Sequence, residues 1–144
     1  MASIESLLNN PDIRTASRLA WRESQPGPSD GHEEGGFIVQ NPAGSLQVIR
    51  WPKGVGNTID VPPHRGCRVE GLDIVASFHT HPNTGPDYLQ EPSETDKRAV
   101  RDDPDLKAPY YEGELVISAV LLYFVTTFGS VVELGETEKI LTQT

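Results

Sequence analysis

The sequence predicts an α/β (α+β) fold, one domain in which a central mixed β-sheet is flanked by helices. Three observations predict it. Residues 1–24 carry apolar residues at helical spacing, and from residue 35 the pattern changes to short apolar runs of strand length. A single short stretch within the strand-rich part, SETDKRAVRDD, reads again as helix. A chain of 144 residues with 36% hydrophobic and 23% charged residues can bury one modest core, which excludes a disordered chain and a large barrel. The expected organisation is a single domain over 1–144: a helical segment at 1–24, a core at 30–135 and a tail at 136–144.

The elements follow in order. Leu7 and Leu8 precede a break at Asn10-Pro11, and Pro11 suits the first turn of a second helix whose apolar positions are Ile13, Ala16, Leu19 and Ala20. QPGPSDGHE is a loop by composition. GGFIVQ and SLQVIRW flank NPAG and read as a β-hairpin. PKGVGNTIDVPPHRG is an irregular connection. GLDIVASFHTH is a buried strand, because Leu72, Ile74, Val75, Ala76 and Phe78 make an almost unbroken apolar run. PNTGPDYLQEP is a loop, and a helix starts at Ser93. LVISAVLLYFVTT is buried and β-rich, Phe128-Gly129 turns, and SVVEL returns, which makes a second hairpin. The polar tail frays or forms one short turn.

Composition excludes several function classes. Twelve basic against 21 acidic residues give a net charge of −9, the wrong sign for a nucleic-acid surface. No apolar run reaches membrane-spanning length, and the N-terminus does not read as a signal peptide. Cys67 is the one cysteine, so neither an internal disulfide nor a multi-cysteine zinc site is possible, and the expected compartment is the cytoplasm. A nucleobase deaminase needs P-C-x-x-C, and no H-E-x-x-H is present. Nine of the acidic residues fall between Asp87 and Glu114, against four basic ones, which reads as a solvated helix face and its loops.

The chemistry sits in three short segments. In SFHTHP, residues i and i+2 of a strand share a face, so His79 and His81 project side by side with Thr80 turned away. Two imidazoles so placed suit zinc, although read alone the pair is more often structural. In PSETD, Ser93 and Asp96 make a helix-capping pattern. Asp96 is also placed to face back to the histidines, and three protein ligands leave the fourth tetrahedral position open, as in a catalytic zinc site. A hydrolytic zinc site needs a proton acceptor. Glu33 and Glu34, beside the Gly-Gly that opens a strand, are the candidates, and their ordinary reading is as exposed loop acids.

Taken together, HEEGGFIVQ, SFHTHP and PSETD resemble the JAB/JAMM (MPN) zinc metalloprotease superfamily, in its small bacterial JAB-like form. The resemblance covers about residues 30–135 and includes LYFVTTFGSVVEL. It implies an MPN/JAB-like fold with cytidine-deaminase-like layering, one zinc ion per chain, and His79, His81 and Asp96 as ligands. It implies Ser93 as an oxyanion donor. In the family the catalytic Glu stands three residues before the strand-opening glycine, which is matched by Gly36 and selects Glu33 over Glu34. The implied activity is hydrolysis of a peptide or isopeptide bond in a protein or peptide substrate, such as the tail of a ubiquitin-like protein. Scaffold members of the superfamily keep the fold and lose some of these positions, whereas all five are filled here. A toxin, immunity or phage-associated role remains open at this stage. The ten-residue loop NTGPDYLQEP is longer than the usual spacing, and Pro86, Tyr88 and Leu89 in it are candidates to gate or line a substrate groove. His32, His64 and Cys67 read as non-catalytic. Trp21 and Trp51 read as packing residues, with Trp51 a candidate for a substrate edge.

Overall fold

The structure, a computed structural model, describes residues 3–142. Residues 1, 2, 143 and 144, the outer ends of the helical segment and the tail, lie outside the described residues. The first helices, α1 (Ile4–Leu8) and α2 (Pro11–Glu23), break at Asn10-Pro11 as the sequence predicts. Asn10 caps α2: its Oδ1 accepts from the Asp12 and Ile13 amides at 2.9 and 3.4 Å. The buried stripe of α2 departs from the expected one. Ile13, Ser17 and Ala20 face inward with Arg14, while Leu19 is 45% exposed. At about 100° per residue, Ile13, Arg14, Ser17 and Ala20 fall within one arc of the helix, and Leu19 falls outside it. Two polar residues of the inner stripe are tied to backbone carbonyls. Ser17 Oγ donates to the Ile13 carbonyl at 2.8 Å, and the Arg14 guanidinium donates to the Leu8 carbonyl at 2.8 Å, tying α2 to α1.

The strands are β1 (Gly35–Gln40), β2 (Leu46–Arg50), β3 (Arg68–Val69), β4 (Leu72–Thr80), β5 (Gly113–Ile117), β6 (Leu121–Thr126) and β7 (Val131–Glu136). They form one seven-stranded sheet in the order β2-β1-β4-β5-β6-β7, with β3 paired to the start of β4. Only β4 and β5 run parallel, and the other pairs are antiparallel. The β1–β2 hairpin closes at NPAG, where the Gly44 amide donates to the Asn41 carbonyl at 2.9 Å. The buried segment at 115–127 divides further than a single hairpin arm. Ser118–Val120 is a turn fixed by the Ser118 hydroxyl, which donates to the Leu121 carbonyl at 2.6 Å, so β5 and β6 are separate strands. The tail does not fray over α4 (Thr137–Leu141), because Leu141 is buried in the core.

The sheet has two packed faces. Helices α1, α2 and α4 cover Ile38, Ala76, Phe78, Leu115, Ile117 and Leu122. Helix α3 (Glu94–Arg101) and the loops around it cover Phe37, Val39, Ile74, Val116 and Val125. Ile74 and Ala76 are two residues apart yet face opposite sides. The β1–β4 register shifts between Ile38 and Val39, which pair with Ala76 and Ile74 and leave Val75 as an extra residue. This bulge reverses the alternation along β4. Beyond it Phe78 and Thr80 point to the α1–α2 side, and His79 and His81 point to the α3 side. Among the described residues, no helix is long and apolar enough to cross a membrane.

β1 begins against the Trp51 ring. A Cβ on Gly35 would lie 2.5 Å from Trp51 Cε3 and 2.6 Å from the Phe78 carbonyl oxygen, so no side chain fits. Gly35→Ala is therefore expected to lower stability by about 1–3 kcal/mol, the usual range for overpacking, as read by urea denaturation; an unchanged midpoint would show that Trp51 yields freely.

Candidate metal centre

Two elements bring three side chains to one point. β4 ends at Thr80, and His81 continues it with its amide donating to the Ile117 carbonyl at 2.8 Å. Thr80 points away, as its place in the strand requires; its hydroxyl lies 2.5 Å from that of Ser24. The third side chain comes from the first turn of α3. Ser93 and Asp96 form a complete capping box: the Asp96 amide donates to Ser93 Oγ at 3.1 Å, and the Ser93 amide donates to Asp96 Oδ2 at 2.8 Å. The cap aims the Asp96 carboxylate at the histidines. Its two oxygens lie 3.3 Å from His79 Nε2 and 3.2 Å from His81 Nε2, and the two Nε2 atoms are 3.1 Å apart. His79, His81 and Asp96 thus form a group able to hold a metal ion, and both histidines are buried.

The outer nitrogens of the imidazoles show which atoms are offered inward. His81 Nδ1 is 3.1 Å from the Gln90 carbonyl, an acceptor only, so Nδ1 carries the proton. His79 Nδ1 is 2.6 Å from Glu114 Oε2 and is likewise the donor. Both Nε2 atoms then face the point that Asp96 faces, where either a proton or a metal ion could lie between them. Burial opposes charge on His79, but the Glu114 charge and the hydrogen bonds to Asp96 and Glu114 outweigh it, raising its pKa well above the ordinary value. Burial would raise the Asp96 carboxyl, and the histidine contacts overcome this and hold it far below the usual range. A metal ion must displace the proton held there, so metal affinity falls as pH falls.

Sequence reading passed over Glu114. It opens β5, pairs with Ser77 across the parallel β4–β5 register, and is buried. Its Oε1 accepts from Ser77 Oγ at 2.8 Å, and Ser77 Oγ lies 2.7 Å from the Tyr111 hydroxyl. An acid at the head of the apolar run GELVIS is the signal that marks it, and only the register shows which histidine it meets.

The structure separates the two glutamates. Phe37 faces the α3 side of β1, and counting back by two along the extended chain puts Gly35 and Glu33 on that side and Glu34 on the other. Glu33 lines a cleft of about 690 Å³ together with His79, His81, Ser93 and Asp96. Burial is the main cause that raises its carboxyl to about 7, against the lowering influence of the two histidines. Glu34 is instead held by Arg50 Nη2 at 2.5 Å and His32 Nε2 at 2.6 Å. One wall of the cleft is a single face of α3, formed by Thr95, Arg98, Ala99 and Asp102. Ile59 and Val61 of the connection after β2 also line the cleft. Trp51 lies in the cleft lining and is 4% exposed, so it is a packed wall rather than a rim. Tyr88 and Leu89 of the long loop also line the cleft, whereas Pro86 does not.

The remaining candidates stand apart. His64 bridges the Pro62 carbonyl at 2.7 Å and Asp103 at 2.6 Å. Cys67 is buried, with its thiol pushed up to about 11 by burial. Trp21 packs partly buried against the helical side of the core.

Two buried histidines and the Asp96 carboxylate meet at the end of a central strand, beside a cleft that Glu33 also lines, which defines an α/β domain with a group that could hold a metal ion. Sequence comparison supplies the family: the one described as prokaryotic homologs of the JAB domain matches residues 13–130. The chain belongs to this family. No curated protein and no solved structure matched the chain.

Glu114→Gln is expected to weaken metal binding about 10–100-fold, the range for loss of a carboxylate behind a ligating histidine. Competition with a chromophoric chelator measures it, and an unchanged affinity would remove Glu114 from the site. Metal removal by chelator is expected to lower the melting temperature, because the ion binds only the folded ligand set.

Proposed function

We propose that the protein is a zinc-dependent peptidase or isopeptidase of JAMM type. The observation that carries the reading is the buried Glu33, titrating near 7 in the same cleft as the His79–His81–Asp96 group. Family membership supports it by allowing either a metal-dependent hydrolase or a scaffold of this fold. Zinc is the ion the donors suit. Tetrahedral ligands at about 2.0–2.1 Å lie about 3.3–3.4 Å from one another, and the two Nε2 atoms are 3.1 Å apart.

When bound, zinc supplies a Lewis acid that polarises a carbonyl and brings the pKa of a water near 7. The chain supplies the rest. Glu33 Oε takes a proton from the attacking water and returns it to the leaving amine, and burial raises its carboxyl toward a value suited to both steps. Ser93 serves two purposes. Its oxygen accepts the Asp96 amide in the cap, which leaves the hydroxyl hydrogen free to donate to the oxyanion. Glu114 holds His79 in its ligating tautomer. The cleft between α3 and the 56–61 loop takes an extended segment of a protein or peptide substrate, and the C-terminal tail of a ubiquitin-like protein is one such segment. The net charge of −9 favours a neutral or basic partner.

The test is turnover of an internally quenched peptide library by the zinc-loaded protein. Glu33→Gln is expected to lower turnover by about 10²–10⁴-fold with zinc retained. Asp96→Ala is expected to lose zinc, whereas Ser93→Ala keeps it and loses about 10²–10³ in rate. Wild-type protein that binds zinc and cleaves nothing would leave the scaffold role in place of the enzyme.

The acid also sets two pH dependences. Turnover is expected to fall on the acid side as Glu33 takes up a proton, below the metal-free value of about 7 because a bound cation lowers the carboxyl; an identical acid limb in Glu33→Gln would remove Glu33 as the base. Without metal, Glu33 holds its proton more tightly folded than unfolded. The fold therefore loses stability as pH rises from the ordinary carboxylate range through about 7. Metal-free Glu33→Gln is expected to exceed wild type by roughly 1–3 kcal/mol at pH 8 and to match it near pH 4, as measured by urea denaturation.

A further inference from the structure

We propose that Asn83 is a positioning residue that locks the segment carrying Glu33, and the rim of the cleft, to the strand end that carries the two histidines. Asn83 follows the histidines in FHTHPN and is 1% exposed. Its Oδ1 accepts from the Gly31 amide at 2.7 Å, and its Nδ2 donates to the Gly31 carbonyl at 3.1 Å and to the Gly56 carbonyl at 2.9 Å. Its backbone carbonyl accepts from Gln90 Nε2 at 2.6 Å, and the Gln90 carbonyl is the one that His81 Nδ1 meets. One buried amide therefore joins three loops: the approach to β1, the connection after β2, and the long loop after His81.

The contacts lie where Glu33 needs support. Between Gly31 and Gly56, the first two loops are zipped by two backbone bonds. The Glu33 amide donates to the Val55 carbonyl at 2.7 Å, and the Gly54 amide donates to the Glu33 carbonyl at 2.8 Å. Asn83 clamps the outer end of this two-bond ladder, where no regular strand continues. The clamp requires glycine at 31, since a Cβ there would sit 3.0 Å from Asn83 Oδ1 and 2.9 Å from the Ser24 carbonyl.

The metal ligands do not depend on this side chain. His79 is held by Glu114, Asp96 by the Ser93 cap, and His81 by a backbone carbonyl. Loss of the Asn83 side chain is thus expected to separate the base from the metal group while leaving the metal group whole. A structural residue of the core would not produce that separation.

The experiment compares zinc-loaded wild type with Asn83→Ala and Asn83→Asp. The second variant keeps the volume and the acceptor for the Gly31 amide but sets an oxygen against the two carbonyls, so it tests the clamp if the alanine variant fails to fold. Hydrogen exchange is expected to rise at residues 31–33 and 54–56 and to stay unchanged at 113–126, with zinc affinity equal to wild type. On the quenched peptide library, kcat is expected to fall about 10²-fold with KM little changed, as for a catalytic group displaced by about 1 Å. Unchanged exchange at 31–33 and 54–56, or loss of zinc alongside it, would overturn the proposal, as would full kcat in a variant of an active wild type. Only the kinetic arm rests on the hydrolase reading. An inactive wild type would refute that reading, and the exchange and zinc arms would still decide the role of Asn83.

Discussion

Two imidazole nitrogens face each other at 3.1 Å with a carboxylate across from both, and much of this fold serves to hold them there. Such lone pairs repel unless a proton or a metal ion lies between them. The chain keeps them together by fixing the far side of each ring: Glu114 behind His79, and the Gln90 carbonyl behind His81. A buried carboxylate on a neighbouring strand is a rigid support, whereas a loop carbonyl is only as rigid as its loop. The Gln90–Asn83 link supplies that rigidity.

The sheet topology follows from the same need. Parallel pairing of β4 with β5 sets Ser77 opposite Glu114 and places the acid beside the next residue on that face, His79. A parallel pair requires a crossover between its strands, and this crossover contains α3, whose first turn delivers Asp96. The β4 bulge at Val75 lets an apolar strand serve the core at its start and still present two histidines to the cleft at its end. Glu33, Asp96 and Glu114 are thereby gathered around the histidines, Glu33 and Glu114 buried, and burial raises the Glu33 carboxyl above its ordinary value. Sites of this kind oppose stability. The two apolar clusters on the faces of the sheet offset that cost.

Much of this was legible in the chain. The helix break at Asn10-Pro11, the hairpin at NPAG, the buried strand ending in the histidines and the Ser93 cap are local patterns, set by φ/ψ preference and side-chain period. The meeting of His79, His81 and Asp96 was legible because two of them share a strand face and the third sits in a helix cap. The inward face of α2 was misjudged at Leu19, because helical spacing alone does not show which of two adjacent faces meets the sheet. Glu114 and Asn83 were missed because their partners lie 35 and 52 residues away in sequence, at His79 and Gly31.

The sequence by itself determined the α/β class and the family-like pattern that relates Glu33, His79, His81, Ser93 and Asp96. Those depend on residue type and short spacing, which act through the local backbone. The tertiary structure alone decided which glutamate enters the cleft, which groups fix the imidazole tautomers and what pins the loops. Each of these depends on register and on contacts between distant segments, and a hydrogen bond across such a distance has no trace in the spacing of its partners.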